Sequence, residues 1–130
     1  MKIGLLLVVL ALAGCATAMY GGQSDQLTQL DSCVNPQDQA YLSLRKQVFL
    51  AMEEKGLPMS EVLTGLETSA RLRLTPGGSL SSEDSTFLAR NGFLGLYGGG
   101  AFSPQRFAAL RACMSERYGM TIRVIEIRPP

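Results

Sequence analysis

The chain has 130 residues, 46% of them hydrophobic, and its 12 lysines and arginines nearly balance its 11 aspartates and glutamates. This balance offers no strongly basic face to nucleic acid or to an anionic membrane surface, so we expect neither as an electrostatic partner. The chain contains no histidine, which excludes Ser-His-Asp and Cys-His catalytic arrangements and removes the commonest co-ligand of cysteine at zinc sites.

The first element in chain order is an apolar stretch behind a single positive charge. Lys2 precedes an uncharged run that has the pattern of a secretory signal and is too short to span a bilayer permanently. Residues 12–15, Leu-Ala-Gly-Cys, resemble the lipobox of bacterial lipoproteins. The resemblance implies that a signal peptide, residues 1–14, is removed and that the Cys15 sulfur carries a diacylglycerol anchor. Because Ala16 follows the cysteine where an aspartate would suggest inner-membrane retention, the resemblance implies the periplasmic face of the outer membrane.

A second cleavage site competes with this interpretation. Residues 16–18, Ala-Thr-Ala, fit an ordinary secretory site whose use would release a soluble protein beginning at Met19. Removal of residues 1–14 leaves 116 residues, enough for one domain. Residues 15–32 are predicted to be the lipidated N-terminus and a flexible tether, since they begin with small, polar and glycine residues. Residues 33–130 are predicted to form a single globular domain.

The cysteine count predicts one disulfide bond under either cleavage. Cys15 is lipidated or removed, so Cys33 and Cys113 remain to pair in an oxidising compartment. Closing a loop of this length stabilises the fold by roughly 4.5 kcal/mol in the chain-entropy model. The rival interpretation is a metal site, but two thiols without histidine form a poor zinc shell.

Four amphipathic helices are predicted in the globular part. Side chains that can cap a helix open three of them, at Asn35, Ser81 and Ser103, and the second helix is predicted to start at Ser60. Proline follows the first and the last of them at the first helical position, and Gly56 ends the first helix. The residues predicted to face inward at spacings of three and four are Tyr41, Leu44, Val48, Met52, Leu63, Leu66, Ala70, Phe87, Leu88, Phe107, Leu110, Met114 and Tyr118.

The chain ends in a different pattern. Residues 120–128 are rich in β-branched side chains and precede two prolines, which predicts a strand. A strand needs a neighbour, and residues 71–75 alternate with period two, although they also fit the last turn of the second helix. We therefore predict a mainly α fold: a compact domain of about four helices with a small β element at the C-terminus, stapled by one disulfide.

Charge is unevenly distributed along the chain. Residues 15–70 carry a net charge of −4 and residues 71–130 a net charge of +4. The two halves can pair with each other across the fold, or the second half can present an arginine-rich face to an acidic partner. Both possibilities remain open at the level of the sequence.

Residues 91–102 place large apolar side chains among glycines. Either these side chains enter the core, as most large apolar residues do, or they form an adaptable apolar surface for a partner segment. The second alternative, combined with the arginines that follow, gives a set of candidate partner-binding residues. They are Phe93, Leu94, Leu96, Tyr97, Phe102, Arg111 and Arg123.

No catalytic constellation and no metal site are identified, and no cofactor is expected. In size, anchor, helicity and single disulfide the chain is similar to the small pilotin lipoproteins of secretion systems. That resemblance implies a non-enzymatic module, held at the membrane by its lipid, which binds an envelope protein or peptide segment and helps to place or assemble an envelope or secretion complex. The alternative is a protective envelope lipoprotein, of the immunity or entry-exclusion type, that binds an incoming protein.

Overall fold

The computed structural model describes residues 25–94 and 102–130, which form five helices. Helix α1 covers residues 25–32. The other four are α2 (Gln39–Lys55), α3 (Met59–Arg73), α4 (Ser82–Arg90) and α5 (Pro104–Tyr118). No strand forms in these two ranges, and none of their helices is long and apolar enough to cross a membrane. The mainly helical fold is confirmed, with one helix more than predicted.

Side-chain caps start three of the helices. Ser81 accepts a hydrogen bond from the backbone N–H of Asp84 at the start of α4, and Ser103 accepts one from the N–H of Arg106 at the start of α5, both as predicted. The prediction for α2 is wrong by one turn, because Asp38 is its cap. Asn35 instead accepts a bond from the N–H of Gln37 within the preceding turn, so its capping capacity is used before the helix begins.

Helix α1 extends the folded domain into a stretch that composition predicted as tether. Leu27 and Leu30, three positions apart, are buried in the hydrophobic core. Burying both side chains favours one helical turn that polar neighbours alone would not stabilise. The predicted signal peptide, Cys15 and the part of the predicted tether before residue 25 lie outside the described residues.

Helix α3 is the centre of the domain. Every residue from Val62 to Ala70 is buried, including six that are polar or small. Helices α2 and α5 pack against it, and Phe93 packs so closely that a β-carbon on Gly65 would lie 2.4 Å from its ring. Only glycine at position 65 allows this approach.

The predicted disulfide is confirmed. Cys33 and Cys113 are bonded, which joins the residue after α1 to α5. The hydroxyls of Ser32 and Tyr118 form a hydrogen bond beside it, and Arg117 donates one to the carbonyl oxygen of Ser32 at 3.0 Å. The N-terminal helix is thus fixed to the last helix by a covalent bond and by polar contacts.

Candidate interaction surface

The C-terminal segment, residues 120–128, is extended but is not a strand. Its one ladder contact is an antiparallel bridge in which Ser79 and Arg128 exchange two backbone hydrogen bonds of 3.0 and 2.8 Å. The predicted mate, residues 71–75, is unable to pair with it because the backbone there completes the end of α3 and the turn that follows. The predicted β element is therefore wrong, and the alternative that residues 71–75 close the second predicted helix is favoured.

Side chains of α3 hold the C-terminal segment in place of a sheet. The Thr64 hydroxyl donates to the carbonyl oxygen of Arg123 at 2.8 Å, and the Arg71 guanidinium donates to the carbonyl oxygen of Ile125 at 2.7 Å. Ile122 and Ile125 are buried below the segment. Sequence reasoning missed Thr64 and Arg71 as anchors, because nothing local distinguishes them from other polar residues of a helix.

The backbone N–H groups of residues 121–127 donate to no acceptor within the described residues, 25–94 and 102–130. Val124, in the middle of this run, is 51% exposed. Backbone N–H groups are strong donors that nearly always find an acceptor in protein or water. A segment that is fixed by its carbonyls and side chains, and whose N–H groups have no acceptor among the described residues, is able to accept a further strand.

The two arginines predicted to bind a partner are engaged within the domain. Arg111 forms an ion pair with Glu67, whose side chain is only 6% exposed. Arg123 pairs with Glu61 at 3.0 Å and with Asp84 at 3.4 Å. For both arginines, these ion pairs favour the interpretation that the acidic and basic halves of the chain pair with each other. Each guanidinium therefore already has a carboxylate partner within the domain, and the role of the two arginines in binding a partner protein stays a prediction.

The aromatic residues of the glycine-rich stretch also differ from the partner-binding prediction. Phe93 and Phe102 are buried in the core, where Phe102 stacks edge to face with Phe107. These two belong to the interior because α3 and α5 remove their rings from water. Leu94 is 52% exposed and stays a candidate. Leu96 and Tyr97 lie outside the described residues.

A second polar cluster joins α1 to α2. The Asp31 carboxylate accepts hydrogen bonds from Tyr41 and from Arg45, the latter at 2.7 Å. Partial burial by itself raises the pKa of Asp31, but the hydrogen bonds and the charge of Arg45 outweigh it and hold that pKa below its ordinary value. Burial, followed by the hydrogen bond to Asp31, raises the pKa of Tyr41 well above its ordinary value. All three groups keep their charge states near neutral pH, so the cluster is suited to holding two helices together and not to proton transfer.

The described parts of the chain contain no group of three or more cysteine, aspartate or glutamate residues placed to hold a metal ion. Comparison with family models, with curated proteins and with solved structures gave no match.

Proposed function

We propose that this protein is a lipid-anchored interaction module of the bacterial envelope, which binds an extended segment of a partner protein along its C-terminal segment. One observation carries the proposal: the N–H groups of residues 121–127 have no acceptor in the described chain. A partner strand supplies carbonyl acceptors at the right repeat, and main-chain hydrogen bonds then give affinity while side chains give specificity.

The fold supports this mode because the segment is already ordered. Ile122 and Ile125 are buried, and two α3 side chains hold the carbonyls of the segment. A partner strand would therefore add to a fixed edge, and only the partner would lose conformational freedom on binding. Binding of a partner strand would extend the C-terminal segment sideways and would require no rearrangement of the helices.

The ion pairs of the surface define the chemistry of the partner. Arg123, within the segment, is compensated by Glu61 and Asp84, so it offers little net charge to a partner. We expect an amphipathic partner segment that binds through backbone hydrogen bonds and apolar contacts, with acidic flanks contributing only near the exposed Arg128. Binding should accordingly depend only weakly on salt.

The placement of the module rests on the N-terminal motif and the cysteines. A disulfide between Cys33 and Cys113 suits an oxidising compartment such as the periplasm, and the lipobox supports the outer membrane as the site of anchoring. Replacing Cys15→Ser should abolish metabolic labelling with fatty acid and leave an uncleaved precursor. A mature protein beginning at Met19 in the wild type would overturn the anchor.

The binding mode is tested by a pair of substitutions at one exposed position. Both Val124→Pro and Val124→Ala replace the valine side chain. Only Val124→Pro also removes the backbone N–H of residue 124. A photo-crosslinking residue at Thr121, which is also exposed, reports on the partner in cells. We expect a discrete crosslinked product with wild type and with Val124→Ala, and its loss with Val124→Pro.

The outcomes separate the possible explanations. Equal crosslinking by the two variants would show that the backbone donor is not used and would overturn β-augmentation. A large fall in melting temperature for Val124→Pro alone would show that the fold itself uses this N–H, and would overturn the free edge. Identification of the product by mass spectrometry distinguishes a component of an envelope complex from an incoming protein of the kind that an immunity or exclusion factor binds.

A further inference from the structure

A second exposed apolar surface lies on the solvent side of α2. Leu42, Phe49 and Leu50 are 42%, 43% and 42% exposed, and they are three of the seven large apolar side chains that are exposed in the described residues. Leu42 and Phe49 are two helical turns apart and therefore point in nearly the same direction, and Leu50 lies about 100° from Phe49 around the helix. Three such side chains on one helix are more than scattered surface residues and indicate a contact surface.

Two charged side chains complete this surface. Lys46 and Glu53 are exposed and fall within the same arc of about 100° as the three apolar residues. Neither has an ion-pair partner in the part of the chain that the structure describes. They are too far apart to pair with each other, because charged pairs within a helix form at spacings of three or four. We call the five residues 42, 46, 49, 50 and 53 the α2 face.

The order of residues along the α2 face is self-complementary. If a second copy is turned end for end about a point between Phe49 and Leu50, Lys46 lies opposite Glu53 of the second copy, and Phe49 lies opposite its Leu50. Each of these contacts then occurs twice, as two-fold symmetry requires. A parallel arrangement would instead place lysine against lysine and glutamate against glutamate, which is unfavourable. The charges therefore fit a second copy in the antiparallel direction.

We propose that two copies of this chain form a homodimer in which their α2 faces pack antiparallel. Phe49 and Leu50 are buried at the centre, Leu42 packs on the turn after α2 of the second copy, and the Lys46–Glu53 pairs fix the direction. The apolar part is smaller than the roughly 800 Å² that each partner contributes to a standard interface, so the dimer should be reversible. The proposal is independent of the proposed function, because the α2 face shares no residue with the C-terminal segment.

The experiment uses two full-length copies with different epitope tags, expressed together in cells. A photo-crosslinking residue replaces Ser43, which is exposed beside the α2 face. We expect a crosslinked product that carries both tags, has twice the mass of the chain and increases in yield with expression level. Phe49→Ser should remove most of this product. Leu74→Ser, which changes an apolar side chain that is 70% exposed outside the α2 face, should leave the yield unchanged.

Charge reversal tests the direction of packing. Lys46→Glu and Glu53→Lys should each lower the yield of the doubly tagged product by about ten-fold, since each replaces two opposite-charge contacts by two like-charge contacts. Co-expression of the two variants, one with each tag, should restore the yield, because every contact then joins opposite charges again. This recovery also shows that both variants fold. Arg90→Glu makes the same change in charge at an exposed position of α4 and should behave as wild type does.

Three results would overturn the proposal. The first is the absence of a doubly tagged product at any expression level. The second is a pair of charge-reversed variants that bind no better together than each does alone. The third is a crosslinked product that contains another protein in place of the second copy, which would show that the α2 face has a different occupant.

Discussion

The substitution Gly65→Ala tests whether Phe93 belongs to the core. In a helix interior alanine is favoured over glycine by about 0.8–1 kcal/mol, so helix propensity alone predicts a more stable protein. The structure predicts the opposite, because the new β-carbon would lie 2.4 Å from two ring carbons of Phe93 and 2.7 Å from a third. Carbon atoms pack at about 3.5–4.0 Å, so the ring would have to move by about 1 Å in a fully buried site.

Overpacking of a core costs typically about 1–3 kcal/mol. The Phe93 ring is rigid and fully buried, so it has no room to move away from a new β-carbon. We therefore place the cost of Gly65→Ala at the upper end of that range. After subtraction of the gain in helix propensity, we expect a net loss of about 2 kcal/mol in the free energy of unfolding. For a domain of this size the melting temperature would fall by roughly 8–16 °C.

Urea denaturation of the oxidised protein, followed by circular dichroism, measures this loss. Ala108→Gly makes the reverse exchange at an exposed helical position and calibrates the propensity term within the same protein. Combining Gly65→Ala with Phe93→Leu should cost less than the two single changes together, by at least about 1 kcal/mol, because the smaller side chain relieves the clash. If Gly65→Ala matches or exceeds wild type in stability, Phe93 does not pack on α3 and the glycine-rich stretch is an exposed apolar surface after all.

Three further predictions concern polar and covalent contacts. Arg111→Ala should lower the free energy of unfolding by about 3 kcal/mol in urea denaturation, because Glu67 is left buried and unpaired, and adding Glu67→Gln should recover part of the loss. Replacing Cys33 and Cys113 together by serine should lower the free energy of unfolding by about 2–4.5 kcal/mol in urea denaturation. Titration of two free thiols in wild-type protein kept under oxidising conditions would contradict the disulfide. The lowered pKa of Asp31 means that its contribution is present above the unfolded-state pKa of about 3.9 and is lost as the pH falls through the folded-state value. Asp31→Asn should therefore be less stable at pH 7, by on the order of 1 kcal/mol for this half-exposed cluster, and thermal melts should show a shallower loss of stability below pH 4 than in wild type.

The positions of α2 to α5 were largely predictable because their signals are local, whereas α1, which depends on burial of Leu27 and Leu30 in the core, was missed. The capping residues Ser81 and Ser103 act on N–H groups within three residues, so the same short stretch specifies and satisfies the interaction. The error at the start of α2 has the same origin, since Asn35 and Asp38 are both competent caps and only the turn between them decides which one is used.

The candidate surface was predicted only in part. The sequence predicted a strand over residues 120–128, where the structure has a single bridge at Arg128, and it assigned Arg111 and Arg123 to a partner. Their carboxylate partners, Glu67 and Glu61, lie more than forty positions away in the chain. Nothing in the local pattern reveals such pairs, because they form only when α3 is placed between α5 and the C-terminal segment.

The amino-acid sequence by itself determined the elements whose causes act over a few residues or over simple counting: the caps at Ser81 and Ser103, most of the apolar helix faces, and the pairing of Cys33 with Cys113. Tertiary structure alone decided which polar residues are buried, as in α3, where Thr64, Glu67 and Thr68 resemble a solvated face and yet lie inside. The physical reason is that burial and ion pairing depend on neighbours that are distant in the chain. Those neighbours compensate the cost of removing polar groups from water only after the helices have packed.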